Sequence, residues 1–364
     1  MQRVDVVFDR YISGSLKSET REGRGSGIRI LVNEATPIWK NWQKFLRNDE
    51  NKKELFHLLA VDLTSESLTS CVVVATDSEE VLSSEATDLT FLTPCNHEEA
   101  DTRIFLHVKH CPDSGHSKVA IRTIDTDVVV IAISCFHSLE VEELWIEFGV
   151  GKSRRWLPVH SYVHALGQDV CKGLPFWYAF TGCDTVLSFS GKGKKIAWNT
   201  WKAFPEATDT FARLSNGENG QPSDIDVKMI ERFVVLMYQR TSSLSDVNEC
   251  RRYLFTKKGC PSESLPPTSD ALLQHTRRAI FQAGFVWCQS TVKTQHLPPI
   301  VEWGWNENVS PLWMVVPEAS KACQELIKCG CRQKCSTRCK CRQFGLECTE
   351  LCMCNGQCLE ELDI

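Results

Sequence analysis

Lys118-Val-Ala-Ile-Arg-Thr-Ile-Asp-Thr-Asp127, followed at once by Val128-Val-Val-Ile-Ala-Ile133, sets the reading of this chain. A short β-branched run ends in two acids, and a second apolar segment begins behind them. Such a run, bounded by polar residues, predicts a buried strand over Lys118–Ile124. Similar runs occur at Val4–Phe8, ending at Asp9, at Cys71–Thr76 and at Leu144–Phe148. Between them lie helical patterns, at Asn41–Leu59 and from Asn96 onward. There Asn96 with Glu99 three residues later has the form of a capping box, and Ala100, Ile104 and Val108 continue a buried stripe. Strands alternating with helices predict an α/β fold with a mainly parallel sheet covered on both faces. From Ser161 onward helical patterns dominate, including Met229–Tyr238 and Asp270–Ala283.

The chain has 364 residues, 42% hydrophobic and 24% charged, with a net charge of −5. These are ordinary globular values, and the negative balance is not that of a dedicated nucleic-acid coat. No apolar run approaches the roughly 18 residues of a membrane span, and no secretory signal pattern opens the sequence.

Nine of the 19 cysteines fall in one short C-terminal stretch: Cys329, Cys331, Cys335, Cys339, Cys341, Cys348, Cys352, Cys354 and Cys358. A segment so short and polar cannot fold on apolar burial alone. Nine is odd, so disulfides would strand one thiol, and several of the other cysteines sit singly in apolar runs, as buried reduced thiols do. The expectation is a reducing interior and zinc. Three tetrahedral zincs need twelve thiolate bonds, which six terminal and three bridging cysteines supply. Lys328, Arg332, Lys334, Arg338, Lys340 and Arg342 interleave the cluster. Some of them can simply neutralise thiolate charge; the sharper expectation is phosphate contact along a nucleic-acid backbone.

The remaining signal is a series of acids: Asp9, Glu99 and Asp101, Asp125 and Asp127, and Asp184. Ligands gather at the carboxyl ends of parallel strands, and crowded acids repel unless cations neutralise them. Hard divalent ions suit oxygen ligands, and two of them about 4 Å apart promote phosphodiester hydrolysis. Each acid also has a plainer role. Asp9 alone reads as a cap or loop residue, and Glu99 as a helix cap. Glu98 competes for the place of Glu99, because it lies three residues before Asp101. Asp125 and Asp127, at i and i+2, point the same way if they end a strand. Two other signals are weaker: Gly151-Lys152-Ser153 lacks the glycine a phosphate loop requires, and His160 and His164 read as packing residues.

Two resemblances follow from these residues. Val7-Phe8-Asp9, Glu99-Ala100-Asp101, Asp125-Thr126-Asp127 and Gly182-Cys183-Asp184 resemble, in order, the motifs of the flap endonuclease/XPG group of PIN-type nucleases. The last motif runs into Phe189–Lys195. There Gly191, Lys192, Gly193, Lys194 and Lys195 look like that group's helix-two-turn-helix hairpin, whose glycines let backbone amides approach phosphates. The resemblance implies a nuclease core over 1–200 with an arch-like insertion at 25–93, a helical duplex-binding region over 184–288 and a connector over 289–320. It also implies two catalytic Mg2+ or Mn2+ ions on the six acids, and a basic gateway that includes Lys17, Arg21 and Arg24. The group carries one further acid on a strand upstream of the VFD motif. That strand is not in this sequence, which leaves either an incomplete or a degenerate copy and an unpaired edge near Val4–Phe8. The cysteine stretch resembles the tesmin-type CXC (CRC) zinc domain, expected at 321–360. Arg338 stands where many members carry an aromatic, which makes an arginine the natural minor-groove contact. Together they imply a structure-specific, metal-dependent nuclease tethered to DNA in the nucleus by a structural zinc module. The alternative is a catalytically inactive DNA- or chromatin-binding protein on the same scaffold.

Overall fold

The structure is a computed structural model and describes residues 3–18, 27–37, 40–65, 71–256, 264–313, 328–332, 335, 338–343, 348 and 352–356. It divides into two compact units, Met1–Trp313 and Met314–Ile364. In the first unit the chain runs β1 (Arg3–Val6), α1 (Trp42–Leu46), α2 (Asp49–Thr64), β2 (Val72–Asp77), β3 (Glu80–Ser83) and α3 (Ala100–His110). It continues through β4 (Lys118–Thr123), α4 (Thr126–Cys135), β5 (Glu143–Phe148), β6 (Arg155–Pro158), α5 (Val159–Leu166) and α6 (Gln168–Phe180). Helices α7 (Lys194–Ala203), α8 (Ala207–Leu214), α9 (Asp224–Tyr238), α10 (Val247–Phe255) and α11 (Ser269–Ile280) complete it. In the second unit a short helix, α12, covers Lys340–Gln343.

The α/β character holds, but the strands do not form one mainly parallel sheet. They form two mixed sheets, ordered β1-β2-β3 and β4-β5-β6. In each, one parallel pair (β1–β2, β4–β5) is followed by one antiparallel pair (β2–β3, β5–β6). The cause lies in the connections. Only two residues, Ser78 and Glu79, separate β2 from β3, with Ser78 at φ 53°, and so short a link permits only an antiparallel return. The span 25–93, expected as an arch, therefore supplies two of the three strands of the first sheet.

The start of α4 corrects the strand-end placement of its acids. β4 stops at Thr123, and Asp125 is the N-cap of α4, its Oδ1 accepting the Asp127 N–H at 2.9 Å. The run Val128–Ile133 is helix, with Val128, Val130, Ile131, Ala132 and Ile133 buried. The Asn96 capping box is likewise absent. Asn96 exchanges hydrogen bonds with the backbone of Gln295 instead, and α3 begins at Ala100, whose N–H is taken by Asp9 Oδ1 at 2.8 Å.

Two hydrophobic clusters result in the first unit. A small one joins Val74, Val81, Leu92, Cys95 and Leu106. The large one runs from Phe105 and the β4–β5 strands through α6 to Trp303 and Trp305, so these two tryptophans of the expected connector are core residues, whereas Trp313 is exposed. Phe176, Phe180, Phe211 and Phe233 are fully buried in it and contribute roughly 1.5–3 kcal/mol each. Among the described residues no helix is long and apolar enough to cross a membrane.

Candidate metal-binding sites

The six acids arrive on three kinds of local structure. Asp9 lies in the irregular segment after β1, Glu99 and Asp101 at the start of α3, Asp125 and Asp127 at the start of α4, and Asp184 in the loop beyond α6. Helix N-termini favour negative charge, because unpaired N–H groups and the helix dipole point at it. Glu99 is still extended, at φ −101° and ψ 136°, while Asp101 is in the first turn. That break in direction lets both face one place although they are only two residues apart. Glu98 is drawn aside, accepting a hydrogen bond from Ser15 Oγ at 2.6 Å.

Lys17 sits among them. Its Nζ is 3.2 Å from Glu99 Oε1 and 3.5 Å from Asp184 Oδ2. Burial works against its charge, but Glu99, Asp184 and Asp101 outweigh that and hold its pKa above the usual lysine value. The carboxyls show the reverse pressure. Burial, with Asp9 and Glu98 nearby and Lys17 opposing, pushes Glu99 up to about 7. Burial and then the charges of Asp125 and Glu99 push Asp101 up to about 8. Burial and Asp125 raise Asp127 to about 6. These mutual effects put the six acids in one electrostatic neighbourhood. They do not form a closed ligand cage: among the described residues, the only sets whose ligand atoms all lie within 4.8 Å of one another are cysteines.

Tyr178 joins this neighbourhood without a sequence signal, since it reads as one more aromatic in an apolar helix. Its hydroxyl is 2.5 Å from Thr126 Oγ1, and burial raises its pKa to about 12.

The lysines of the hairpin divide. Gly191, at φ +66°, makes the tight turn, and Gly193 precedes α7. Lys194 turns inward: Nζ donates to Tyr178 O at 2.8 Å, Thr181 Oγ1 at 3.1 Å and Gly182 O at 2.5 Å, and lies 3.5 Å from the Tyr178 ring centre. It closes the C-terminus of α6 rather than facing solvent. Lys192 lies 4.9 Å over the Tyr238 ring, and Lys195 is exposed. Lys17, expected in a basic gateway, is the cation of the acid cluster itself. Arg21 and Arg24 lie outside the described residues. His160 is a packing residue, bonded to Leu144 O at 3.2 Å and edge-on to Trp145.

In the second unit Cys329, Cys335, Cys339, Cys341, Cys348, Cys352 and Cys354 are buried together, with Cys331 at their edge. Sγ–Sγ distances run from 3.6 Å (Cys335–Cys348) through 3.8 Å (Cys329–Cys335) to 3.9 Å (Cys329–Cys348). Four sulfurs bound to zinc at about 2.3 Å in a tetrahedron lie about 3.8 Å apart, so the donor set fits zinc in softness and spacing. Three tetrads have all four sulfurs within 4.8 Å of one another: Cys329/331/335/339, Cys329/339/341/348 and Cys329/335/348/354. They overlap, since all three contain Cys329. Cys352 lies 3.6 Å from Cys341, while Cys358 is outside the described residues. Arg332, Arg338, Lys340 and Arg342 are exposed; Lys334 is not among the described residues. This is a protein with a carboxylate-rich site on an α/β unit and a separate cysteine cluster able to hold zinc. No protein-family model, curated protein or solved structure matches the chain.

Proposed function

We propose that the protein is a divalent-metal-dependent nuclease, of structure-specific flap type, acting on DNA through a zinc module that tethers it there, in the nucleus. The observation that carries the reading is the gathering of Asp9, Glu99, Asp101, Asp125, Asp127 and Asp184 in one electrostatic neighbourhood with the largely buried ammonium of Lys17. Burial first, and then one another's charge, raise the pKa values of these carboxyls; added positive charge relieves both, and hard oxygen donors suit Mg2+ or Mn2+. Such ions, when bound, supply an activated water and stabilise the leaving oxygen. The chain's own residues do the rest. The acids hold the ions directly or through waters. Lys17 gives up its partners in the acid cluster or turns to a substrate phosphate. Gly191–Gly193, the N-terminus of α7, Lys192 and Lys195 offer amides and charge to a backbone. Cysteines at 329–358 hold about three structural zincs, with Arg332, Lys334, Arg338, Lys340 and Arg342 around them.

Asp127→Asn is expected to abolish Mg2+- or Mn2+-dependent cleavage of flap, hairpin and single-stranded DNA while DNA binding persists. Undiminished cleavage by the variant would sink the assignment. One observation favours the second reading, a catalytically inactive DNA-binding scaffold: Lys17 neutralises part of the acid cluster with the chain's own charge. On that reading neither the parent nor the variant cleaves.

A further inference from the structure

The N-terminus of α4 carries two acids of the cluster, Asp125 as N-cap and Asp127 in the first turn. The cap bond at 2.9 Å engages the Asp127 N–H, so it orients the backbone there and not the Asp127 side chain. What reaches that side chain comes from α6. Tyr178 Oη lies 2.5 Å from Thr126 Oγ1, and a hydrogen bond to Asp127 acts on the same hydroxyl. An ionised carboxyl can only accept, so the phenol donates to Asp127 and Thr126 donates to the phenol oxygen. Burial keeps the proton on Tyr178 against the pull of Thr126, and the charges of Asp127 and Asp125 add to burial. The donor is therefore present at any ordinary pH.

On its other side the Tyr178 ring is held by the hairpin. Lys194 Nζ lies 3.5 Å from the ring centre and spends its three protons on Tyr178 O, Thr181 Oγ1 and Gly182 O. Lys194 is the first residue of α7 and directly follows the Gly191–Gly193 turn. Asp127 is among the charges that favour this ammonium, after Cys183 and against burial. Contacts thus run without a gap from the hairpin through Lys194 and the phenol to Asp127. Packing alone does not call for the hydroxyl. The ring meets Trp177 and Trp287, at 6.4 and 6.2 Å between centres, and a phenylalanine would fill the same place.

We infer that Tyr178 is a positioning residue for Asp127, and that Lys194 ties it to the hairpin. The inference rests on the metal-dependent nuclease reading and adds to it that the metal site and the duplex grip share one support. Lys194 steadies the phenol, and the phenol fixes the oxygens that Asp127 offers to an ion. Partners of this kind, which hold a metal-binding side chain in place, typically contribute about 10–100-fold in metal affinity or activity.

The test compares the zinc-loaded 364-residue chain with Tyr178→Phe, Lys194→Met and the double variant. Mn2+ binding is measured without DNA, from the electron paramagnetic resonance signal of the free ion. Cleavage of a flap with duplex arms gives kcat and KM, and urea midpoints report the fold separately. Tyr178→Phe should bind Mn2+ about tenfold or more weakly and lose kcat by a similar factor at unchanged KM. Lys194→Met should show the same pattern, because its side chain faces the protein and not the substrate. The double variant should lose no more than the weaker-binding single variant, as for two residues acting through one contact. Thr126→Val, at an exposed position, removes the other hydroxyl; it tests the phenol should Lys194→Met fail to fold, and should also weaken Mn2+ binding. Binding by the parent that Tyr178→Phe leaves unchanged, or weakens only as far as the protein unfolds, overturns the positioning role and leaves the nuclease reading standing. A folded Lys194→Met that keeps the parent's Mn2+ affinity and changes KM alone overturns the link to the hairpin. A folded parent that neither binds Mn2+ nor cleaves overturns the nuclease reading and this inference with it.

Discussion

Lys17 Nζ lies 3.2 Å from Glu99 Oε1, so the most buried acid of the cluster is held by the chain's own cation. The pair joins residues 82 positions apart and fixes the segment after β1 against the start of α3.

Lys17→Met leaves Glu99 and its neighbours without a countercharge. Breaking a largely buried ion pair costs roughly 2–4 kcal/mol once the partial exposure of Asp184 is allowed for. Urea unfolding at pH 8 in Mg2+-free buffer should show that loss, and at pH 5, where Glu99 and Asp101 are protonated, the loss should shrink. If Mg2+ or Mn2+ binds the acids, millimolar metal should restore more stability to the variant than it adds to the parent.

The pH dependence has a defined sign. In the unfolded chain these carboxyls lose their protons near their ordinary values of 3.8 to 4.5, whereas in the folded protein Asp127 keeps its proton to about 6, Glu99 to about 7 and Asp101 to about 8. Between those limits these three groups bind more protons in the folded state, so their contribution to stability is full at low pH and falls as pH rises toward 8, whereas His97 and His275, which burial lowers to about 4, act in the opposite sense below their ordinary value of 6.5. Thermal melts from pH 6.5 to pH 8, above the ordinary histidine value, should show this decline, and Mn2+ should flatten it. A melting temperature that rises over the same range contradicts it.

Asp9 accepts the Ala100 N–H, and this capping role can be separated from any role in metal binding. Asp9→Asn keeps an oxygen acceptor and should stay within a few tenths of a kcal/mol of the parent, whereas Asp9→Ala should lose about 1 kcal/mol. Cleavage lost equally in both variants assigns Asp9 to the metal site; cleavage lost only in the alanine variant assigns it to the helix cap.

Cys329 is common to all three tetrads and Cys331 belongs to one. Native mass spectrometry of Cys329→Ser should show loss of more than one zinc, and of Cys331→Ser one at most. Chelation should unfold the second unit, because the buried residues described there are all cysteines, which thiolate–zinc bonds would hold together. With the module intact, neutralising Arg338 or Arg342 should reduce the salt slope of DNA binding by about 1 for each phosphate that the arginine had neutralised.

Much of the architecture was legible in the residues. β-branched runs marked β1, β2, β4 and β5 within a residue or two, and the α/β alternation followed from them. What failed was local chemistry overridden by distant partners. Asn96 had the form of a cap, but it is held by Gln295, 199 positions away, and Asp9 caps the helix in its place. Lys194 looked like a phosphate-binding lysine, yet it is spent on the carbonyls at the end of α6. The segment Val128–Ile133 carries no periodicity that separates a buried strand from a buried helix, so only Asp125 as N-cap reveals its start.

The sequence by itself determined the cysteine cluster, because nine thiols at fixed short spacing leave few ways to satisfy themselves other than a shared soft metal. It also determined which acids stand next to apolar elements, since that is a matter of order along the chain. Only the tertiary structure decided that Lys17 sits among those acids, and that the strands divide into two sheets. Charge pairing and edge pairing depend on which groups meet after the chain has closed on itself. Residues 82 positions apart, as Lys17 and Glu99 are, leave no periodic trace of one another in the sequence.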